Sequence, residues 1–131
     1  MKTLALLAVI VAAFSFSVPA QKKEYLLQGS IAVPAGKVWR NEFWFGERGG
    51  MVQGRFRAEG GSNDDIYCYI VTPDDYENMK NGNEFRSYYS SGKVTVANIN
   101  LQLPAGSYVL ASSNAHSLFS TKTVYGEIWR K

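Results

Sequence analysis

The segment from Val52 to Val71, V-Q-G-R-F-R-A-E-G-G-S-N-D-D-I-Y-C-Y-I-V, constrains the fold of this chain most. In its first half Val52, Gly54, Phe56 and Ala58 alternate with Gln53, Arg55, Arg57 and Glu59. Strict period-two alternation is the signature of a strand with one face buried and one in water. In its second half Ile66, Cys68 and Ile70 alternate with Tyr67, Tyr69 and Val71. Both of those sets are largely apolar, so the second strand is expected at the centre of a sheet, covered on both faces. Gly60–Asp65 reads as a tight polar turn that makes the pair hairpin-like.

The rest of the chain repeats the pattern. Strands are expected over Glu24–Ala32, Val38–Phe45, Phe85–Ser90, Lys93–Leu103, Ser107–Ser112 and Thr121–Arg130, separated by Gly and Pro turns such as Pro34-Ala35-Gly36 and Pro104-Ala105-Gly106. In Val38–Phe45 the set Trp39, Asn41, Phe43 and Phe45 is the better core face. Thr72–Gly82 differs: Thr72 is a good N-cap, Pro73 suits the first helical position, Asp74 and Asp75 favour a helix start, and Lys80 and Gly82 favour its end. The expectation is an all-β chain of about eight strands with one short helix, folded as an antiparallel β-sandwich with jelly-roll-like topology.

Residues 1–20 read as a signal peptide. Lys2 precedes an apolar run from Leu4 to Phe16, and Val18-Pro19-Ala20 supplies small residues for cleavage before Gln21. The run is shorter than the roughly 20 residues of a spanning helix. A single domain is then expected over residues 21–131, secreted or periplasmic, with no transmembrane segment in the mature chain. The full chain's 14 Lys and Arg include Lys2; the 13 that remain in this domain, against 11 Asp and Glu, are scattered, which gives no reason to expect a nucleic-acid partner. Cys68 is the only cysteine, so no internal disulfide can form; in line with Ile66 and Ile70 it reads as a small buried hydrophobe, with pairing to another chain as the alternative.

These segments together carry a likeness to a known family. V-Q-G-R-F-R-A-E-G-G-S-N-D-D-I, P-D-D-Y-E-N, Y-Y-S-S-G-K-V-T-V, L-P-A-G-S-Y-V-L, S-S-N-A-H-S and K-T-V-Y-G-E-I, in that order, resemble the GOLD-like (Golgi-dynamics-type) β-sandwich domain. The likeness runs from Val38 to Trp129. It implies export and non-catalytic recognition of proteins or lipids, and the first expectation for the chain is an exported module that binds a protein, an envelope component or a lipid. The cysteine pair of the cargo receptors that carry this domain is missing here, so cargo-receptor function does not carry over.

Candidate chemistry is sparse. Asn63, Asp64 and Asp65 offer oxygen atoms for calcium, but no complete D-x-D-x-D-G loop surrounds them, and Asn and Asp also serve turns through local backbone bonds. No other cofactor is indicated. His116, the only histidine, lies beside Asn114 in a polar loop with hydroxyls nearby, yet there is no G-x-S-x-G elbow for a hydrolase. The aromatic residues are more informative. Neighbours in a strand point to opposite faces, so Trp44 and Phe45 cannot both enter one core. Trp44, Tyr67, Tyr69, Asn114 and His116 are therefore the expected binding residues of a non-enzymatic module. Carbohydrate binding by exposed aromatics is the alternative reading, and a hydrolase using His116 a third.

Overall fold

The computed structural model describes residues 22–61 and 64–131. The proposed signal peptide and Asn63 lie outside the described residues. Eight strands run in the order β1 (Glu24–Val33), β2 (Val38–Phe45), β3 (Gly50–Glu59), β4 (Tyr67–Val71), β5 (Tyr89–Ser90), β6 (Val96–Leu103), β7 (Gly106–Ser113) and β8 (Lys122–Arg130), with helix α1 (Pro73–Lys80) between β4 and β5. They form two antiparallel four-stranded sheets, β1-β8-β3-β6 and β2-β7-β4-β5. Every connection except that from β4 to β5 carries the chain to the other sheet. This is the strand order of a jelly roll, as the alternation led us to expect.

Two local expectations are corrected. β3 and β4 do not form a hairpin: β3 pairs with β6 and β8, and β4 with β5 and β7. The turn after Glu59 is a corner between sheets. The alternation permits this as readily as a hairpin, and main-chain pairing decides it, because β6 and β8 occupy both sides of β3. With the two strands in facing sheets, Val52, Phe56 and Ala58 on one side and Ile66, Cys68 and Ile70 on the other enter the same core. The strand expected over Phe85–Ser90 shortens to Tyr89–Ser90. Pairing with β4 begins only at the Tyr88 N–H, which donates to Ile70 O at 2.8 Å, while Phe85 packs edge-on against the Tyr69 ring at 5.3 Å.

The core between the sheets also takes Phe43, Phe45, Ile99, Leu103, Tyr108, Leu110, Val124 and Ile128. Tyr108 stacks on Phe43 at 5.5 Å, and its hydroxyl donates to Pro104 O at 2.6 Å, which fixes the corner before β7. β3 and β8 approach closely at Gly54. Its φ is +145°, and a Cβ there would meet Glu127 O at 2.0 Å.

The outer faces of the two sheets differ. Thr72 caps α1 by accepting the Asp75 N–H at 3.2 Å. The helix lays Tyr76 and Met79 on Val71, Val109 and Ala111, so part of the outer face of β2-β7-β4-β5 is a second small core. Among the described residues, no helix is long and apolar enough to cross a membrane.

Candidate functional site

The structure divides the residues expected to bind. Tyr67 and Tyr69 stand two apart on the outer face of β4, and their rings stack nearly parallel at 6.1 Å. His116 meets Tyr67 edge to face at 5.2 Å, so Tyr67, Tyr69 and His116 are brought together in one row that Phe85 completes. Trp44 is not in that row. Tyr67 lies beside Ser113 of β7 and Trp44 beside Ser107, which separates them by about 20 Å along the sheet. Trp44 is 65% exposed at the far end, over a shallow depression shared with Glu42, Pro73 and Ser107.

Asn114 is fully buried. Its Nδ2 donates to Val33 O at 2.9 Å and Ser120 O at 2.8 Å. Its main chain bonds Lys37 O and accepts from Gly36 and Ser117. It therefore clasps the β7–β8 loop to the end of β1. Leu118 and Phe119, at 82% and 93% exposure, project from the loop this clasp holds.

His116 is exposed, and among the described residues its ring forms no hydrogen bond. Its pKa is lowered from the usual 6.5, first by desolvation, then by Lys93 and Lys122, with Asp65 opposing. The neutral form of the imidazole is thereby favoured, and among the described residues no acid is hydrogen-bonded to it. The described carboxylates of the acidic turn already have partners. Asp64 Oδ1 accepts the Gly60 N–H at 2.9 Å; Asp65 accepts the Thr95 hydroxyl at 3.3 Å and lies 4.0 Å from Lys93 Nζ. Among the described residues no group of three or more His, Cys, Asp and Glu side chains is arranged to hold a metal. Cys68 is fully buried, and burial pushes its thiol up to about 12.

The sequence did not single out the outer face of the β1-β8-β3-β6 sheet, which no helix among the described residues covers. Register sets its outward side chains in rows across the strands, and three of these rows span all four strands. One row is Tyr25, Trp129, Gln53 and Asn100; the next is Gln28, Glu127, Arg55 and Asn98; the third is Ser30, Tyr125, Arg57 and Val96. Four strands make this platform about 14 Å wide. Two adjoining depressions, about 500 and 400 Å³, share Arg55 and Glu127; Tyr125 and Arg57 line the first, Trp129, Gln53, Asn98 and Asn100 the second. The rings are held in place: Tyr25 meets Trp129 edge-on at 6.2 Å, Lys23 Nζ lies 4.2 Å above Trp129, and the Arg57 guanidinium 4.7 Å from Tyr125. Arg57 is also paired with Glu59. Gln53 Nε2 donates to Asn100 Oδ1 at 3.2 Å. The alternation of β3 already set Gln53, Arg55 and Arg57 on one face; which strands lie beside β3 was not readable from it.

No protein-family model matches the chain, and no curated protein matches it in sequence.

Proposed function

We propose that this is an exported, non-catalytic recognition module that binds carbohydrate across the open face of the β1-β8-β3-β6 sheet. The observation that carries this reading is the composition of that face. Sugars offer both flat C–H surfaces and many hydroxyls. Tyr25, Tyr125 and Trp129 suit the first, and Gln53, Asn98, Asn100, Arg55 and Glu127 the second. Insertion into a lipid surface calls for a more apolar face than this one. Export rests on the N-terminal segment of the sequence. The GOLD-like motifs agree with a sandwich used for recognition. In this reading His116 serves as a ring packed edge to face on Tyr67.

The test is a glycan array and sedimentation with insoluble polysaccharides, using wild type and Tyr125→Ala. Binding that Tyr125→Ala weakens is expected. A blank array together with no retention on any polysaccharide would remove the reading.

A second reading, a protein, lipid or other envelope component as partner, is favoured by Leu118 and Phe119, which no part of the described chain covers. Loss of vesicle or envelope-fraction binding in Phe119→Ser, with glycan binding absent, would establish it in place of the first.

A further inference from the structure

The two sheets have four edge strands, and three of them carry features that discourage pairing with another chain. β1 has a register break between Tyr25 and Leu27 and a glycine at φ +96°. β2 carries the Arg40–Glu42 ion pair at 3.0 Å on its surface. β5 is two residues long. β6 is different. Its sequence, V-A-N-I-N-L-Q-L, holds no charge and no proline, and its register with β3 is unbroken over eight residues.

The direction of its free groups follows from one bond. Ala58 N–H donates to Thr95 O at 2.8 Å, so Thr95 and every second residue after it turn their main chain toward β3. Val96, Asn98, Asn100 and Gln102 therefore aim N–H and C=O at the open edge. Of these groups, Asn98 O accepts the Tyr89 hydroxyl at 3.3 Å. Ala97 and Leu101 face the core but are only partly buried, as a seam still open at its rim requires.

We infer that β6 pairs antiparallel with β6 of a second copy of this chain, forming a two-fold dimer. The strand is its own complement. A two-fold axis at Ile99 sets Asn98 opposite Asn100 of the second copy and Val96 opposite Gln102 on the outer face. On the core side the small Ala97 meets the large Leu101. No like charges are brought together, and about eight main-chain hydrogen bonds close once the exposed Tyr89 hydroxyl gives up Asn98 O. The two open sheet faces then join into one surface of eight strands, with the depression lined by Asn98 and Asn100 on each side of the axis. Two sites on one rigid surface would hold a repeating polymer by avidity.

The experiment is sedimentation equilibrium over a wide concentration range on protein expressed from the full-length sequence, with amide hydrogen exchange of β6. Wild type is expected to reach twice the mass of one folded chain. The Val96, Asn98, Asn100 and Gln102 amides should gain protection as concentration rises. Asn100→Pro removes an N–H that β3 does not use, so it should fold and remain monomeric. The Val96→Lys/Gln102→Lys double variant, which sets lysine against lysine, should do the same without a backbone change. A wild type that stays monomeric at every concentration overturns the inference. So does a dimer that survives in the double variant.

Discussion

Gln53 Nε2 donates to Asn100 Oδ1 at 3.2 Å across the β3–β6 pair, and on its other side Gln53 lies opposite Trp129. The amides are thus fixed relative to an aromatic ring before any ligand arrives, which lowers the ordering cost of binding. If carbohydrate occupies this face, Gln53→Ala should weaken binding by roughly tenfold, about 1.4 kcal/mol, through both the lost bond and the freed Asn100. Tyr125→Ala should cost a similar amount through lost stacking. Trp44→Ala, on the other sheet, should leave glycan affinity unchanged. Isothermal titration with the best array ligand measures all three.

Asn114 acts as a clasp, and this sets a stability prediction. Asn114→Ala removes the side-chain donor to Val33 O and one of the two side-chain donors to Ser120 O, which keeps the Ser117 hydroxyl. The expected loss is about 2–4 kcal/mol, read from denaturant unfolding. Ser117→Ala, which removes two bonds between partly buried groups in the same loop, the hydroxyl's donation to Ser120 O and its acceptance of the Ser120 N–H, should cost about 1 kcal/mol.

The alternation that made β2 and β3 legible is a local property, since each inward residue is fixed by its neighbours two places away. Thr72, Pro73 and Lys80 likewise announced α1 through local capping and dipole chemistry. Pairing is not local. Nothing in Val52–Val71 shows that β3 lies beside β8 and that β4 crosses to the other sheet, because both arrangements bury the same side chains. The candidate site suffered for the same reason. Tyr125 and Asn98 look unremarkable in sequence, and become a surface only when β8 and β6 flank β3. Asn114 misled in the opposite direction: a polar residue in a polar loop reads as exposed, but its amide is needed to close that loop.

His116 should titrate below 6.5, because desolvation and the nearby Lys93 and Lys122 disfavour its charged form. A group with a depressed folded pKa binds its proton more readily in the unfolded chain. Its contribution to stability is therefore complete above about 6.5 and is lost as pH falls through the folded value. Lys93→Ala should raise the His116 pKa. NMR titration of the single imidazole measures both effects, and a value above 6.5 in wild type would contradict them.

Calcium offers a direct check on the acidic turn. Asp64 holds the Gly60 N–H, and Asp65 is engaged by Thr95 and Lys93. Recruiting them to a cation would break these contacts. Millimolar calcium against chelator should shift the melting temperature by less than about 1 °C, since a ligand stabilises only in proportion to its binding of the native state. A rise of several degrees that Asp64→Asn abolishes would establish a site there.

Cys68 makes the strongest prediction at alkaline pH. The thiol lies on the core face of β4 between Ile66 and Ile70, and burial raises its pKa from 9.0 to about 12, with a hydrogen bond to Ser112 opposing only in part. In the unfolded chain it ionises near 9. The raised folded value means the neutral thiol is the form the native state accepts. Stability from this group is therefore fully present below pH 9 and is lost progressively as pH rises from 9 toward 12, at up to roughly 1.4 kcal/mol per pH unit. The Tyr69, Tyr89 and Tyr108 hydroxyls, also raised by burial, add to the loss above pH 10. Cys68→Ala should unfold at lower denaturant at pH 7, because it leaves a small cavity, yet show a shallower decline between pH 9 and 10. The difference in slope isolates the thiol from the tyrosines. At pH 8 the native protein should resist a thiol reagent such as dithionitrobenzoate, and react at once in denaturant. Rapid labelling of the folded protein, or a disulfide-linked dimer on a non-reducing gel, would show that β4 opens far more readily than its position in the core allows.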